Sequence, residues 1–210
     1  MFKKLIFGLS LWLFATTLSF GANFDDGYSA IEKGDYKTAL TIFEDLAKKG
    51  DIDAQYNLGL MYDNGYGVKQ DYKKAFEWYE KAANQGDAKA QFYLGFMYYN
   101  GQGVKQDYKK AIELYEKAAT QGFAKAQYNL GAMYDNGYGV RRDYKKAFEW
   151  CEKAANQGYE VAQYVLGIMY DNGLGVKQDK KIAKELYGKA CDGGVQIACD
   201  AYKILNQQGY

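Results

Sequence analysis

The sequence contains no histidine and no proline. Without histidine, the chain lacks the commonest general base and the commonest zinc ligand of proteins. It has only three cysteines, and they are not clustered, so the sequence predicts neither a metal site nor a cofactor. Without proline, the turns must be formed by glycine, of which there are 24.

The chain also lacks a surplus of either charge. It has 27 basic and 26 acidic residues, and removal of Lys3 and Lys4 with a leader would leave 25 against 26. No broad basic surface is available to attract phosphates, so we expect no nucleic-acid partner. Aromatic residues make up 17% of the chain, which favours a folded protein with a sizeable core.

The first residues are typical of a targeting segment. Lys3 and Lys4 precede an apolar stretch of about 16 residues, which is short for a membrane span, and Ser19 and Gly21 are small residues at the positions read by signal peptidase. Residues 1–21 are therefore predicted to be a cleaved signal peptide; a retained anchor is the alternative. Cleavage would leave a periplasmic or secreted protein with no stable membrane insertion.

Self-similarity determines the predicted architecture. Four segments align with one another without gaps, at residues 51–86, 87–122, 123–158 and 159–194. They share an alanine, a Leu-Gly pair, a tyrosine and a second alanine, which in the first copy are Ala54, Leu58, Gly59, Tyr62 and Ala75.

Each copy is predicted to form two helices joined by a glycine loop. Ala54, Leu58 and Tyr62 recur every four residues and would share one face of a helix over residues 53–64. Gly65 is expected to end that helix, and Asp71 to cap the next one. The buried side of the second helix is expected to consist of Ala75, Trp78, Tyr79 and Ala82. Gly59 is expected to let the partner helix's backbone come close.

These residues form the pattern A-x-x-x-L-G-x-x-Y-x-x-G-x-G-V-x-x-D, followed by A-x-x-W-Y-x-K-A-A. The pattern resembles the Sel1-like repeat, a relative of the tetratricopeptide repeat, and the resemblance covers residues 51–194. Residues 22–50 are similar to a shorter tetratricopeptide-type hairpin, and residues 195–210 are predicted to be a capping helix. The resemblance implies an all-α fold: a right-handed α-solenoid of helix–loop–helix repeats.

Cys191 and Cys199 flank the junction between the last repeat and the capping helix. A disulfide there would fix that helix to the stack and contribute about 2–3 kcal/mol; two buried free thiols are the alternative. The same C-x7-C spacing is similar to that of the Helicobacter cysteine-rich proteins, a secreted branch of the Sel1-like family. The other junctions depart from that branch, with Ala83 and Gln91, Ala119 and Gln127, and Ala155 and Gln163 at the equivalent positions.

Cys151 has no obvious partner in the sequence. It occupies a position where the other repeats have Tyr79, Tyr115 and Tyr187. The residue is predicted to be a buried, inert free thiol. A reactive thiol that links two chains into a dimer is the alternative.

The sequence offers no set of catalytic residues. Ser29, the one serine after the predicted leader, is not followed by the lysine of a serine β-lactamase. The G-x-G pairs follow helices and not strands, which argues against a nucleotide site. The resemblance to the Helicobacter branch nevertheless implies an alternative function, weak β-lactam hydrolysis or penicillin binding, for which no catalytic residue can be named.

A peptide or protein partner is the preferred prediction, because the first helices of a solenoid line its concave side. Similarity to tetratricopeptide repeats adds an asparagine before the Leu-Gly pair, which in that family often bonds a peptide backbone. The candidate binding residues are Tyr56, Asn57, Asp63, Phe92, Tyr93, Phe96, Tyr99, Tyr128, Asn129, Asp135, Tyr164 and Asp171. The alternative for Tyr56 and its equivalents is packing against the neighbouring repeat.

Overall fold

The computed structural model describes residues 23–210, so the predicted signal peptide at residues 1–21 lies outside the described residues. The described part of the chain contains eleven α-helices and no strand. The helices are α1 Phe24–Glu32, α2 Tyr36–Lys48, α3 Ile52–Asn64, α4 Tyr72–Asn84, α5 Ala88–Asn100, α6 Tyr108–Thr120, α7 Ala124–Asn136, α8 Tyr144–Asn156, α9 Glu160–Asn172, α10 Lys180–Asp192 and α11 Gln196–Gln207.

Each helix packs mainly against the helices that precede and follow it in the chain. The result is a stack of helical hairpins, and the predicted all-α solenoid is confirmed. Odd-numbered helices from α3 onward are the first helices of the repeats, and α4, α6, α8 and α10 are the second helices. Contacts between neighbours in sequence account for the stack, as expected of a quasi-one-dimensional repeat protein.

The helix ends follow the local signals in the sequence. Asp71 caps α4 by accepting hydrogen bonds from the backbone amides of Lys73 and Lys74, and α3 ends at Gly65 with φ of 75°. The second loop glycine, Gly67, lies against the preceding unit, where an added Cβ would meet the backbone oxygen of Tyr36 at 2.5 Å. Each long loop is therefore seated on the repeat before it.

The close approach at the helix glycines involves a side chain that the prediction did not include. An added Cβ at Gly59 would lie 2.4 Å from the ring of Tyr79, so the glycine makes room for an aromatic side chain. Gly95 and Gly167 face Tyr115 and Tyr187 in the same way, and there the partner helix's backbone also comes close, since an added Cβ would lie 3.3 Å from the oxygen of Ala111 or Ala183. The buried ring of the second helix is thus seated on the bare Cα of the first.

Hydrogen bonds from buried glutamines join successive repeats, which the sequence did not predict. Gln127 is 5% exposed, and its Nε2 donates to the backbone oxygen of Ala119 in the preceding repeat at 3.0 Å. Its Oε1 accepts a hydrogen bond from Nε2 of Gln157 at 2.7 Å. We call this arrangement the glutamine clamp. It recurs with Gln55 and Gln85, and with Gln91 and Gln121.

The last junction replaces the glutamine clamp with the cysteine pair. Cys191 and Cys199 occupy the positions of Ala119 and Gln127, and their sulfur atoms lie at disulfide distance, 1.98 Å apart. Gly193 stands where the other repeats have the second glutamine of the clamp, so Gln163, whose Nε2 donates to the backbone oxygen of Ala155 at 3.3 Å, forms only the first half of it. At the last junction, the covalent link takes the place of the hydrogen bond from glutamine to the backbone oxygen.

Candidate functional site

Two recesses open on the side of the stack lined by the first helices, and together they are named the first-helix groove. The central pocket has a volume of about 230 Å³ and lies between α5 and α7. Its lining residues are Phe96, Tyr99, Tyr115, Tyr128, Asn129, Ala132, Met133, Asn136 and Tyr138. The N-terminal recess, of about 480 Å³, is lined by Phe24, Tyr28, Asp53, Tyr56, Asn57, Leu60, Lys89, Tyr93, Phe123 and Lys125.

The central pocket exists because one repeat carries a small residue where the others carry a large one. Ala132 lines the pocket at the position that Leu60, Phe96 and Ile168 occupy in the other repeats. Phe96 remains 41% exposed beside it, although a phenylalanine is usually buried. The missing side-chain volume at Ala132 and the exposed ring together form an apolar hollow.

Tyr99 and Tyr138 form the rim of the central pocket, and Tyr108 packs against both of them. The rings of Tyr108 and Tyr138 stack with centroids 5.2 Å apart, and Tyr99 packs 5.3 Å from Tyr108 and 5.9 Å from Tyr138. Gln106 holds this corner, since its Nε2 donates to the backbone oxygen of Tyr99 at 2.8 Å and to the hydroxyl of Tyr108 at 3.1 Å. The positions of the rim tyrosines are therefore fixed by contacts within the protein itself.

The central pocket is electrically neutral. Among residues 23–210, no aspartate, glutamate, lysine or arginine lines it. Burial raises the pKa of the Tyr115 and Tyr128 hydroxyls, and burial with the neighbouring tyrosines raises the pKa of Tyr99. All three stay protonated at neutral pH and can donate or accept hydrogen bonds.

The predicted binding residues divide among several environments. Tyr56, Asn57 and Tyr93 line the N-terminal recess, whereas Phe96, Tyr99, Tyr128 and Asn129 line the central pocket. Five further candidates line neither recess, namely Asp63, Phe92, Asp135, Tyr164 and Asp171. The groove thus brings together seven of the predicted residues, from α3, α5 and α7.

Two of the predicted residues are buried in the structure. Phe92 is 8% exposed and packs 5.7 Å from the ring of Tyr115 and 5.2 Å from that of Phe123, so it belongs to the core between helices. Asn57 is buried, and its Nδ2 already donates to the backbone oxygen of Asp53 at 2.8 Å. One of the two N–H donors of the Asn57 amide is therefore already used within its own helix.

The aspartates expected to be exposed are half-buried. The hydroxyl of Tyr79 lies 3.4 Å from Oδ2 of Asp63, and Lys180 forms an ion pair with Asp171 at 3.1 Å. Burial raises the pKa of the Asp63 carboxyl. These carboxylates contact their own second helices and loops and do not line the groove.

Several lining residues were missed because they come from outside the first helices. Tyr115 lies on α6, Tyr138 lies in the loop after α7, and Phe24 and Tyr28 lie on α1. The spacing of residues along one helix face does not identify side chains that reach the recesses from other helices and loops. The smallness of Ala132 was the available signal, because the repeat alignment places it against three larger residues.

The described residues form neither a metal-binding cluster nor a membrane-spanning helix. In residues 23–210 no three cysteine, aspartate or glutamate side chains come together as a metal site. Over the same range, every helix is too short or too polar to cross a bilayer.

Cys151 lies in the core, as predicted, which argues against the alternative of a dimer linked through it. The side chain is 2% exposed, and an added Cβ at Gly131 would lie 2.7 Å from its sulfur. A disulfide to a second chain would require the sulfur to leave this site. Cys151 thus takes the place of the buried ring that faces the glycine in the other repeats.

Cys151 is expected to be unreactive in the folded protein. Burial, with a smaller effect of Asp135, raises the pKa of its thiol to about 12, so the reactive thiolate is scarce at pH 8. A chromogenic disulfide reagent at pH 8 should modify the native protein at least 100-fold more slowly than protein unfolded in guanidinium. Rapid modification of the native protein, or a dimer on non-reducing gels that Cys151→Ser abolishes, would contradict this placement.

Comparison with known proteins supports the repeat architecture. The family model described as Sel1 repeat matches residues 52–87, 88–123, 124–159 and 161–195. A search of curated protein sequences found no match.

Solved structures extend the likeness. A Sel1 repeat protein from Oxalobacter formigenes is 37% identical, with a TM-score of 0.79, over 84% of this chain and 72% of that one. A protective antigen of uropathogenic Escherichia coli that displays an SLR fold is 35% identical, with a TM-score of 0.84, over 89% of this chain. This chain spans only 41% of that antigen's length. Helicobacter pylori cysteine rich protein B is 28% identical, with a TM-score of 0.51, over 63% of this chain and 96% of that one.

Proposed function

Because the chain belongs to the Sel1 repeat family, whose repeats generally mediate protein interactions, we propose that it is a non-catalytic scaffold that binds a peptide or protein partner in the first-helix groove. Stacked repeats offer an extended surface that a partner can occupy along its length. Two adjoining recesses lie on that surface, and residues of successive first helices line both.

The observation that carries the proposal is the central pocket with its preformed tyrosine rim. Tyrosines bury a large contact area at a low entropic cost and retain a hydroxyl for hydrogen bonding, which suits a peptide ligand. Asn129 adds a side-chain amide, which lies within hydrogen-bonding reach of the Tyr115 hydroxyl at the pocket wall. The pocket therefore combines apolar walls with polar groups that can orient a peptide backbone.

Export to the periplasm or the medium is part of the same proposal. It rests on the sequence of residues 1–21 and is supported by the cysteine pair, since disulfides persist mainly in oxidising compartments. A reducing cytosol would leave the last junction with neither a disulfide nor a glutamine clamp.

The β-lactamase alternative gains no support from the groove. Ser29, the serine among the described residues, lies on α1 outside both recesses, and Cys151 is buried and protonated. Hydrolysis of a chromogenic cephalosporin by protein freed of contaminating enzymes is therefore expected to match the buffer rate. Turnover that co-purifies with the protein and exceeds the buffer rate would revive that alternative.

Truncation of the central pocket should weaken partner binding. The double variant Tyr99→Ala/Asn129→Ala removes part of the aromatic rim and the amide, and we expect it to reduce the affinity of selected peptides at least ten-fold. Peptides would be selected by phage display on the native protein and measured by fluorescence polarisation.

The matched control is Glu113→Ala, an exposed residue of α6 outside the groove. This variant should bind the selected peptides as tightly as the native protein does. Equal affinity of the groove variant and the native protein would place the binding site elsewhere.

A further inference from the structure

The two recesses adjoin along α7 and differ in charge. Lys125 lines the N-terminal recess, and Tyr128 and Asn129, three and four residues later on the same helix, line the central pocket. Residues at these spacings share one helix face. The N-terminal recess holds Lys89 and Lys125 against a single carboxylate, that of Asp53, whereas the central pocket is neutral. A basic site therefore lies one helical turn from an apolar one.

We infer that the groove selects a peptide segment in which a large apolar side chain, aromatic or long aliphatic, lies beside an acidic residue. The inference rests on the proposed peptide-binding function and specifies its ligand. The apolar side chain occupies the central pocket, and the neighbouring carboxylate lies near Lys125 and Lys89.

The size and chemistry of the central pocket support a single apolar side chain. Its volume of about 230 Å³ is below the roughly 300–1,000 Å³ of typical small-molecule sites, so it suits one anchoring residue better than a free metabolite. Its walls include Phe96, Ala132 and Met133, and none of the described residues that line it is charged and able to pair with a buried ion. A charged anchor would lose its hydration without compensation.

Charge complementarity supports the acidic neighbour. Lys89 and Lys125 are exposed, and neither belongs to the ion pairs formed within residues 23–210. The ammonium of Lys89 lies 5.7 Å from the ring centroid of Tyr56, which holds it at the groove wall. Since both amines are solvent-exposed, their attraction for a carboxylate should be modest and sensitive to salt.

The test uses pools of nonapeptides with blocked ends, so that only side chains carry charge. The central residue is fixed as Phe, Leu, Ala or Lys, both of its neighbours are fixed as Asp or Asn, and the other positions are randomised. We expect the Phe and Leu pools to bind at least ten-fold more tightly than the Ala and Lys pools. The Asp pools should bind several-fold more tightly than the Asn pools at low salt, and high salt should abolish that preference.

Two variants locate the subsites. Ala132→Leu introduces the residue that repeat 1 carries at the same position, so the helix should tolerate it while the central pocket fills. It should weaken the Phe pool at least ten-fold and leave the Ala pool unchanged, whereas the control Ile168→Leu, outside the pocket, should alter neither. Lys125→Gln should remove most of the preference for Asp.

The possible outcomes distinguish the inferred peptide preference from the proposed peptide-binding function on which it rests. Equal binding of the Phe and Ala pools, or full retention of the Phe pool by Ala132→Leu, would overturn the inference and leave peptide binding intact. Failure of every pool to bind would overturn the proposed function as well. The pool comparison needs no variant, so it remains decisive even when a substitution affects folding.

Discussion

Gly59→Ala should lower the stability of the protein by about 3 kcal/mol, although the substitution adds a single methyl group. The new Cβ would lie 2.4 Å from Cδ1 and 2.5 Å from Cε1 of Tyr79. That ring is fully buried, stacks on Tyr93 at a centroid distance of 5.4 Å and packs 6.1 Å from Tyr56. Because neighbours hold the ring on both sides, it cannot move aside without disturbing the groove wall.

The measurement is thermal unfolding followed by circular dichroism, with Gly188→Ala as the matched control. Gly188 also lies within a helix, α10, but its added Cβ would meet Tyr202 at 3.4 Å, an ordinary contact. The control should be neutral or gain up to about 1 kcal/mol, because alanine favours the helix. Gly59→Ala should melt about 6–12 °C lower than the native protein. Equal melting temperatures for the two variants would show that the Gly59–Tyr79 contact has been misjudged.

Loss of the cysteine pair should destabilise the capping helix by about 2–3 kcal/mol, and a glutamine graft should recover part of that loss. The Cys191→Ala/Cys199→Ser variant leaves α11 with neither the covalent link nor a glutamine clamp. In Cys191→Ala/Cys199→Gln, the new amide can donate to the backbone oxygen of residue 191, as Gln127 does to that of Ala119. Because the graft restores only this one hydrogen bond, we expect a recovery of about 1 kcal/mol.

Hydrogen exchange of the α11 amides is the appropriate measurement, because a terminal helix can open without global unfolding. Native protein treated with a reductant should exchange as fast as the Cys191→Ala/Cys199→Ser variant, and the graft should fall between that variant and the oxidised protein. The same protection in all four samples would mean that packing alone holds α11 in place. Faster exchange in the graft than in the serine variant would contradict the clamp account.

Local features of the fold were predictable from the sequence, whereas contacts between repeats were not. Gly65 and Asp71 act through a few neighbouring residues, so their conformations follow from residue type and spacing. From the sequence alone, Gln127 would be assigned to the polar, solvent-facing side of an amphipathic helix. Its burial depends on Ala119, eight residues earlier, and Gln157, thirty residues later, which only the stacked repeats bring together.

The residues of the candidate site were likewise only partly predictable from the sequence. Asn57 and Asn129 precede identical Leu-Gly pairs, but Asn57 is bonded to the backbone of its own helix at the N-terminal recess, whereas Asn129 lies beside Tyr115 in the central pocket. The sequence motif cannot distinguish them, because the difference lies in the surrounding repeats. Variation between copies, above all Ala132, is what creates the pocket.

The most direct test of the proposed function is site-specific photo-crosslinking. A benzophenone amino acid would replace Phe96, which is exposed in the central pocket, or Glu113, which lies outside the groove, and each protein would be irradiated with the tightest-binding peptide. We predict that position 96 labels the peptide at or beside its large apolar residue and that position 113 labels it at background level. Labelling of equal strength from position 113, or none from position 96 while binding persists, would contradict a partner site in the first-helix groove.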